Sequence, residues 1–225
     1  MSRPYTVSIE NERGANTNYA IFMDLPSFTG APRPWMNVFF TEFLPEHGNF
    51  QFLIGQEFYA CTAIATTPLS PGVVILSGIS LPAILGTDSS PGSTFDGKID
   101  SQFPLLSPTD PSATSGSFEI KTGTDFPMPN ERYLVGLGQH NRRGQVVPVA
   151  TVAPQNNATI QITPKMKFFV TESQQVPGEI VDYDYVARSG ATVDFSSGEG
   201  QGKHYARVVQ QKDGSFIVTY GEDLN

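Results

Sequence analysis

No part of this chain sustains the apolar spacing of a helix for about ten residues or more. In its place run roughly fourteen or fifteen short β-type segments, with turn signals about every eight to twelve residues. Eighteen prolines and twenty-one glycines supply the punctuation. No period recurs, which argues against a propeller or a β-helix. The pattern predicts one all-β domain over residues 1–225. The expected architecture is a single antiparallel β-sandwich, jelly-roll-like or immunoglobulin-like, with a barrel-like closure as a variant. The length agrees, because sandwiches and barrels often run to about 200–250 residues as one unit.

The buried middle is expected in residues 49–85. Apolar runs occupy 50–54, 59–65, 73–76 and 79–85, separated by Gly55-Gln56 and by a turn rich in proline and glycine at 67–72. Upstream, residues 5–10 alternate strictly, as a half-buried strand does. Residues 18–24 form a second strand that Pro26 ends, since proline cannot donate to a ladder. Downstream, residues 103–116, with Pro104, Pro108 and Pro111, read as a long connection. Residues 180–187 read as a strand, and Asp213-Gly214 predicts a two-residue type I′ hairpin turn.

The opening residues Val7, Ile9, Asn11, Gly14, Asn18, Tyr19, Ile21 and Phe22, closed by Pro26, carry a resemblance. Their spacing resembles the start of some uncharacterised microbial, mostly fungal, all-β proteins. The likeness implies an all-β fold and a cytosolic setting. It transfers no activity.

Charge excludes one class of partner. The net charge is −8, and the fourteen basic residues are scattered, with Arg142-Arg143 the one adjacent pair. Nucleic-acid binders cluster their Lys and Arg to displace phosphate counterions, so no nucleic-acid partner is expected. Cys61 is the single cysteine, which rules out an intrachain disulfide and a Cys-rich zinc site. It lies in an apolar run and reads as a buried thiol. No run reaches the ~18 apolar residues of a membrane span, and residues 1–5 lead into a strand without a signal-peptide core. The expectation is a soluble, cytoplasmic protein without a membrane partner.

Several groups of residues are candidates for chemistry. Glu42 and His47, with Tyr59, offer carboxylate, imidazole and phenol for acid–base work. Pro45 keeps Glu42 and Glu46 from sharing a helical face, so no metal site is expected. The segment 136–144 is rich in glycine and includes His140, Arg142 and Arg143. Its backbone N–H groups and guanidinium forks suit a carboxylate or phosphate. Trp35, Phe39 and Phe40 head an aromatic cluster, and adjacent strand residues such as Phe39 and Phe40 should face opposite ways. Tyr183 and Tyr185, on a strand, would share one face opposite Asp182 and Asp184. Residues 198–204 mimic a phosphate loop, but the spacing is one short and His204 follows the lysine.

The chain lacks a G-x-S-x-G elbow, an H-E-x-x-H pair and a dinucleotide fingerprint, and nothing in it calls for a cofactor. Three functions stay open. The first is a non-catalytic binding module for a small molecule or glycan. The second is a cofactor-independent isomerase or cyclase acting on an apolar molecule in an aromatic-lined cavity. The third is a structural protein that self-associates, as a homo-oligomer, through exposed sheet edges.

Overall fold

The computed structural model describes residues 3–222. In chain order the first strands are β1 (Tyr5–Asn11), β2 (Thr17–Met23), β3 (Ser27–Thr29), β4 (Trp35–Asn37), β5 (Phe40–Leu44), β6 (Asn49–Ile54) and β7 (Phe58–Ala65). The middle holds β8 (Ile75–Ala83), β9 (Gly92–Asp100), β10 (Phe103–Ala113), β11 (Phe118–Thr122), β12 (Tyr133–His140), β13 (Val146–Val152) and β14 (Thr159–Thr163). The last part holds β15 (Lys167–Glu172), β16 (Ile180–Val181), helix α1 (Tyr183–Ser189), β17 (Ala191–Asp194), β18 (Tyr205–Gln210) and β19 (Phe216–Gly221).

These strands form an all-β sandwich distributed over four sheets. Their orders are β19-β18-β1-β6, β10-β9-β11-β14-β3, β16-β4-β13-β12-β7-β8 and β17-β15-β2-β5. Among the described residues each sheet keeps two free ends, so none closes into a barrel. Most pairings are antiparallel, but β1–β18 and β9–β11 are parallel. Parallel neighbours need a long crossover. For β1 and β18 that crossover is most of the chain.

One main core joins all four sheets, and strand alternation decides which residues enter it. Val7 and Ile9 of β1, Phe50, Phe52 and Ile54 of β6, and Phe118 and Ile120 of β11 point inward. Between them Leu53 stays exposed. Strand β2 is buried on both faces. Tyr19, Ile21 and Met23 enter the main core, while Ala20 and Phe22 meet Met36, Val38 and Val186 beneath α1. The Tyr19 hydroxyl donates to Gln210 Oε1 at 2.6 Å and so ties β2 to β18 inside the core.

Four local expectations are corrected. The runs at 73–76 and 79–85 are joined in their middle by a single strand, β8, whose register shifts against β7 between Cys61 and Ala63. Gly78 is required there, because a Cβ would lie 2.3 Å from the Thr62 hydroxyl that receives the Ile79 N–H. Residues 103–113 are the edge strand β10, not a connection. An edge strand tolerates prolines, since its outward N–H groups have no ladder to join.

Residues 182–189 are not a strand. Asp182 caps α1 by accepting from the N–H groups of Asp184 and Tyr185, Arg188 sits in the last turn, and Gly190 follows. The β18–β19 hairpin exists, but Gln211 N–H donates to Ser215 O and Gly214 N–H to Gln211 O. With Gly214 alone at positive φ, of +89°, this is a type I turn closed by a glycine bulge rather than a type I′ turn.

Candidate functional site

The β12–β13 hairpin uses the same turn chemistry at residues 141–144. Asn141 N–H donates to Gln145 O at 2.8 Å and Gly144 N–H donates to Asn141 O at 2.9 Å. The Asn141 side-chain oxygen accepts from the N–H of Arg143 (2.9 Å) and of Gln145 (3.0 Å). Such an Asx arrangement, ending on Gly144 at φ 72°, fixes the apex and carries Arg142 and Arg143 to β5. There Arg142 pairs with Glu42, and its guanidinium lies 5.3 Å from the Phe50 ring centroid. The Arg143 guanidinium has no ion-pair partner among the described residues.

Between β5 and this hairpin opens a cleft of about 580 Å³. Phe39 and Phe40 line it on one side with Glu42, and Arg142, Arg143 and Val147 on the other. The fold thus gathers five residues that the sequence singled out. Phe39 and Phe40 do not face opposite ways. Residue 39 lies between β4 and β5, outside a strand, so both rings enter the main core and meet edge-to-face at 5.1 Å. The glycine-rich segment also divides differently. Gly136 and Gly138 lie within β12, and a Cβ on Gly136 would stand 2.0 Å from Ala150 O. These glycines allow close strand packing and do not cradle an anion.

The proposed acid–base set is dispersed. Glu42 lines this cleft, whereas Tyr59 lines another, and His47 lines neither. His47 is an exposed turn residue at φ 60°, with Nδ1 2.8 Å from Glu12 Oε2. Trp35 lines a third cleft, of about 400 Å³, with Pro129 and Leu69. Tyr183 packs edge-to-face on Phe169. Burial, and then its hydrogen bond to Asp24, pushes its phenol up to about 12. Tyr185 is 58% exposed. Two positions apart on a helix, these tyrosines cannot form one stripe. Cys61 is fully enclosed, and burial pushes its thiol far up, as an inert core residue requires.

The cleft that Tyr59 lines, of about 640 Å³, also takes Tyr5, Phe58, Pro82, Leu85 and Met166. Tyr59 meets a partner that sequence spacing does not reveal. Its hydroxyl is 2.7 Å from His140 Nε2, across 81 residues of chain. Glu57 Oε2 lies 3.4 Å from the same oxygen. Sequence reasoning also missed two buried polar groups. Gln139 is 2% exposed, and its Nε2 has no hydrogen-bond partner. The Nδ1 of His204 is likewise without a partner, although its ring stacks on Tyr5. Among the described residues, no three His, Cys, Asp or Glu side chains stand close enough to share a metal ion. Nor is any described helix long and apolar enough to cross a membrane.

Sheet architecture and clefts together define an all-β sandwich protein with open clefts lined by both apolar and polar residues. The chain belongs to the RhiA family, whose model matches residues 2–221. The N-terminal resemblance points to no characterised family, and the family match corrects it: a recognised family covers nearly the whole chain. No curated protein and no solved structure matches it.

Proposed function

We propose that the protein is a binding module for a small, largely apolar molecule that carries an acidic group, held in the cleft between β5 and the β12–β13 hairpin. One observation carries this reading. The cleft sets Phe39 and Phe40, at the edge of the core, beside two arginines, and Arg143 has no ion-pair partner among the described residues. Small-molecule sites are typically apolar with a few placed polar groups, and a guanidinium fork suits a carboxylate or phosphate. Glu42 holds Arg142 in place until a ligand anion competes for it. A glycan is the weaker choice, because Trp35, Tyr183 and Tyr185 lie apart and offer no common stacking platform.

The test is native mass spectrometry of protein purified gently from its own source, with organic extraction of the bound material. A reproducible adduct of one per chain is expected, weakened in an Arg142→Ala, Arg143→Ala double variant. A clean apo mass overturns the reading. A defined multimer in that spectrum would favour self-association instead.

A further inference from the structure

We propose that Tyr59 and His140 form a proton-transfer pair on the rim of the second cleft, acting without a cofactor on a small carbonyl compound that has an acidic C–H bond. The argument begins with the imidazole. His140 Nδ1 stands 3.0 Å from the carbonyl oxygen of Gly144. A carbonyl only accepts, so Nδ1 carries the proton and Nε2 presents its lone pair. Tyr59 then donates its O–H to Nε2 across 2.7 Å. A phenol has one proton to give, and Glu57 at 3.4 Å is the poorer acceptor. A hydroxyl, a base within hydrogen-bond reach and a third group that orients the base make up the arrangement that activates side-chain oxygens in many enzymes.

The fold builds this arrangement on purpose-shaped strands. Gly138 lies directly opposite Tyr59 in the β7–β12 register. The phenol reaches diagonally to His140, two residues on. The rings meet edge-to-face with centroids 4.8 Å apart. The rigid turn at 141–144 supplies the Gly144 carbonyl. Phe58, Leu85 and Met166 give the adjoining cleft an apolar lining, and its volume suits a small molecule. Burial first, and then Glu57, holds the Tyr59 phenol above its ordinary value. Its oxygen therefore stays protonated until the imidazole takes that proton.

The step balances within substrate and protein. The substrate C–H bond breaks and its electrons move onto the carbonyl oxygen as an enolate. The proton joins the Tyr59 oxygen as the former Tyr59 proton passes to His140 Nε2. The resulting imidazolium is held by its Nδ1–H bond to Gly144 O. Reversal onto a different carbon regenerates both side chains and leaves an isomer, with no net oxidation, reduction or loss of a proton. The Tyr59–His140 cleft is separate from the one bearing Arg142, so this inference stands or falls independently of the binding reading.

Two measurements test it. Imidazole nitrogen NMR on the intact protein should find His140 protonated at Nδ1, with an Nε2 shift that moves in Tyr59→Phe. A proton on Nε2, or no response to Tyr59→Phe, overturns the pair. The second uses a nitrobenzisoxazole as probe, whose ring C–H removal breaks the N–O bond and releases a coloured cyanophenolate. The protein should open it with a kcat that falls about a hundredfold in Tyr59→Phe and in His140→Gln, KM being retained. His140 is exposed, so His140→Gln keeps the fold. The His47→Gln variant, which alters a turn histidine outside both clefts, should match the wild type. A wild-type rate no greater than that of the Tyr59→Phe and His140→Gln variants overturns the proposal.

Discussion

Replacing Arg142 by alanine separates a binding role from a structural one, because the structure limits what Arg142 contributes to folding. Its side chain is 44% exposed and that of its partner Glu42 31% exposed. An ion pair that open to water is worth about 0.2–1 kcal/mol. The guanidinium over Phe50 adds about 0.5–1 kcal/mol at an exposed site. The expected loss of stability is therefore under about 2 kcal/mol, or less than about 8 °C in Tm for a chain of this length. A charge-assisted contact to a ligand anion is worth about 1.5–3 kcal/mol, which is roughly a ten- to hundredfold loss of affinity. Urea unfolding and adduct occupancy by native mass spectrometry give the two quantities side by side. Glu42→Gln should have the opposite sign on an anionic ligand, since it frees Arg142 from its competitor. The reasoning fails if Arg142→Ala costs more than about 3 kcal/mol of stability, or if adduct occupancy is untouched by either change.

Three further outcomes follow from single polar side chains. Burial pushes the Tyr19 phenol up to about 12 from 10.0. Above pH ~10 the unfolded chain loses that proton while the folded state keeps it, so stability falls with rising pH, by about 1.4 kcal/mol per unit until pH ~12. Alkaline unfolding followed by circular dichroism should show this slope reduced in Tyr19→Phe. Asp182→Ala removes the side-chain cap of α1 and should lower stability in urea by about 0.5–2 kcal/mol; no change would mean the helix is held by Val186 packing alone. Gln139→Leu deletes an enclosed donor without a partner, and is expected to raise stability by about 1–3 kcal/mol. A lower urea midpoint would show that Gln139 has a partner inside the fold.

The sandwich was legible in the sequence because a strand writes its burial into alternate residues. Phe50, Phe52 and Ile54 against Gln51 and Leu53 are an example. Misreadings arose where a local signal depends on tertiary placement. The prolines of β10 mark a loop in the middle of a sheet and are harmless at its edge. The period-two tyrosines at 183 and 185 read as a strand, whereas Asp182 caps a helix whose Val186 packs with Ala20, Phe22 and Phe169, a placement that only the tertiary fold provides. The candidate sites were legible as residue types but not as groups. Glu42 and Arg142 meet across 100 residues, and Tyr59 and His140 across 81. No local spacing encodes such pairs. The parallel β1–β18 pairing lies at still longer range.

The β12–β13 hairpin carries groups for both clefts, and that economy has a physical basis. Its apex is fixed by hydrogen bonds within residues 141–145, so it presents Arg142 and Arg143 to β5 without help from a ligand. The last bond of the same turn leaves the Gly144 carbonyl facing His140, which orients the imidazole towards Tyr59. Glycine at 144 accommodates the positive φ that closes the turn, while a Cβ at 138 would stand 2.8 Å from Val146 Cγ1. A side chain at 144 would therefore disturb Arg142 and His140 together, although the first lines one cleft and the second bonds to Tyr59 of the other. The proposed ligand contact and the proposed proton-transfer pair thus share one turn, held by Asn141 and Gly144.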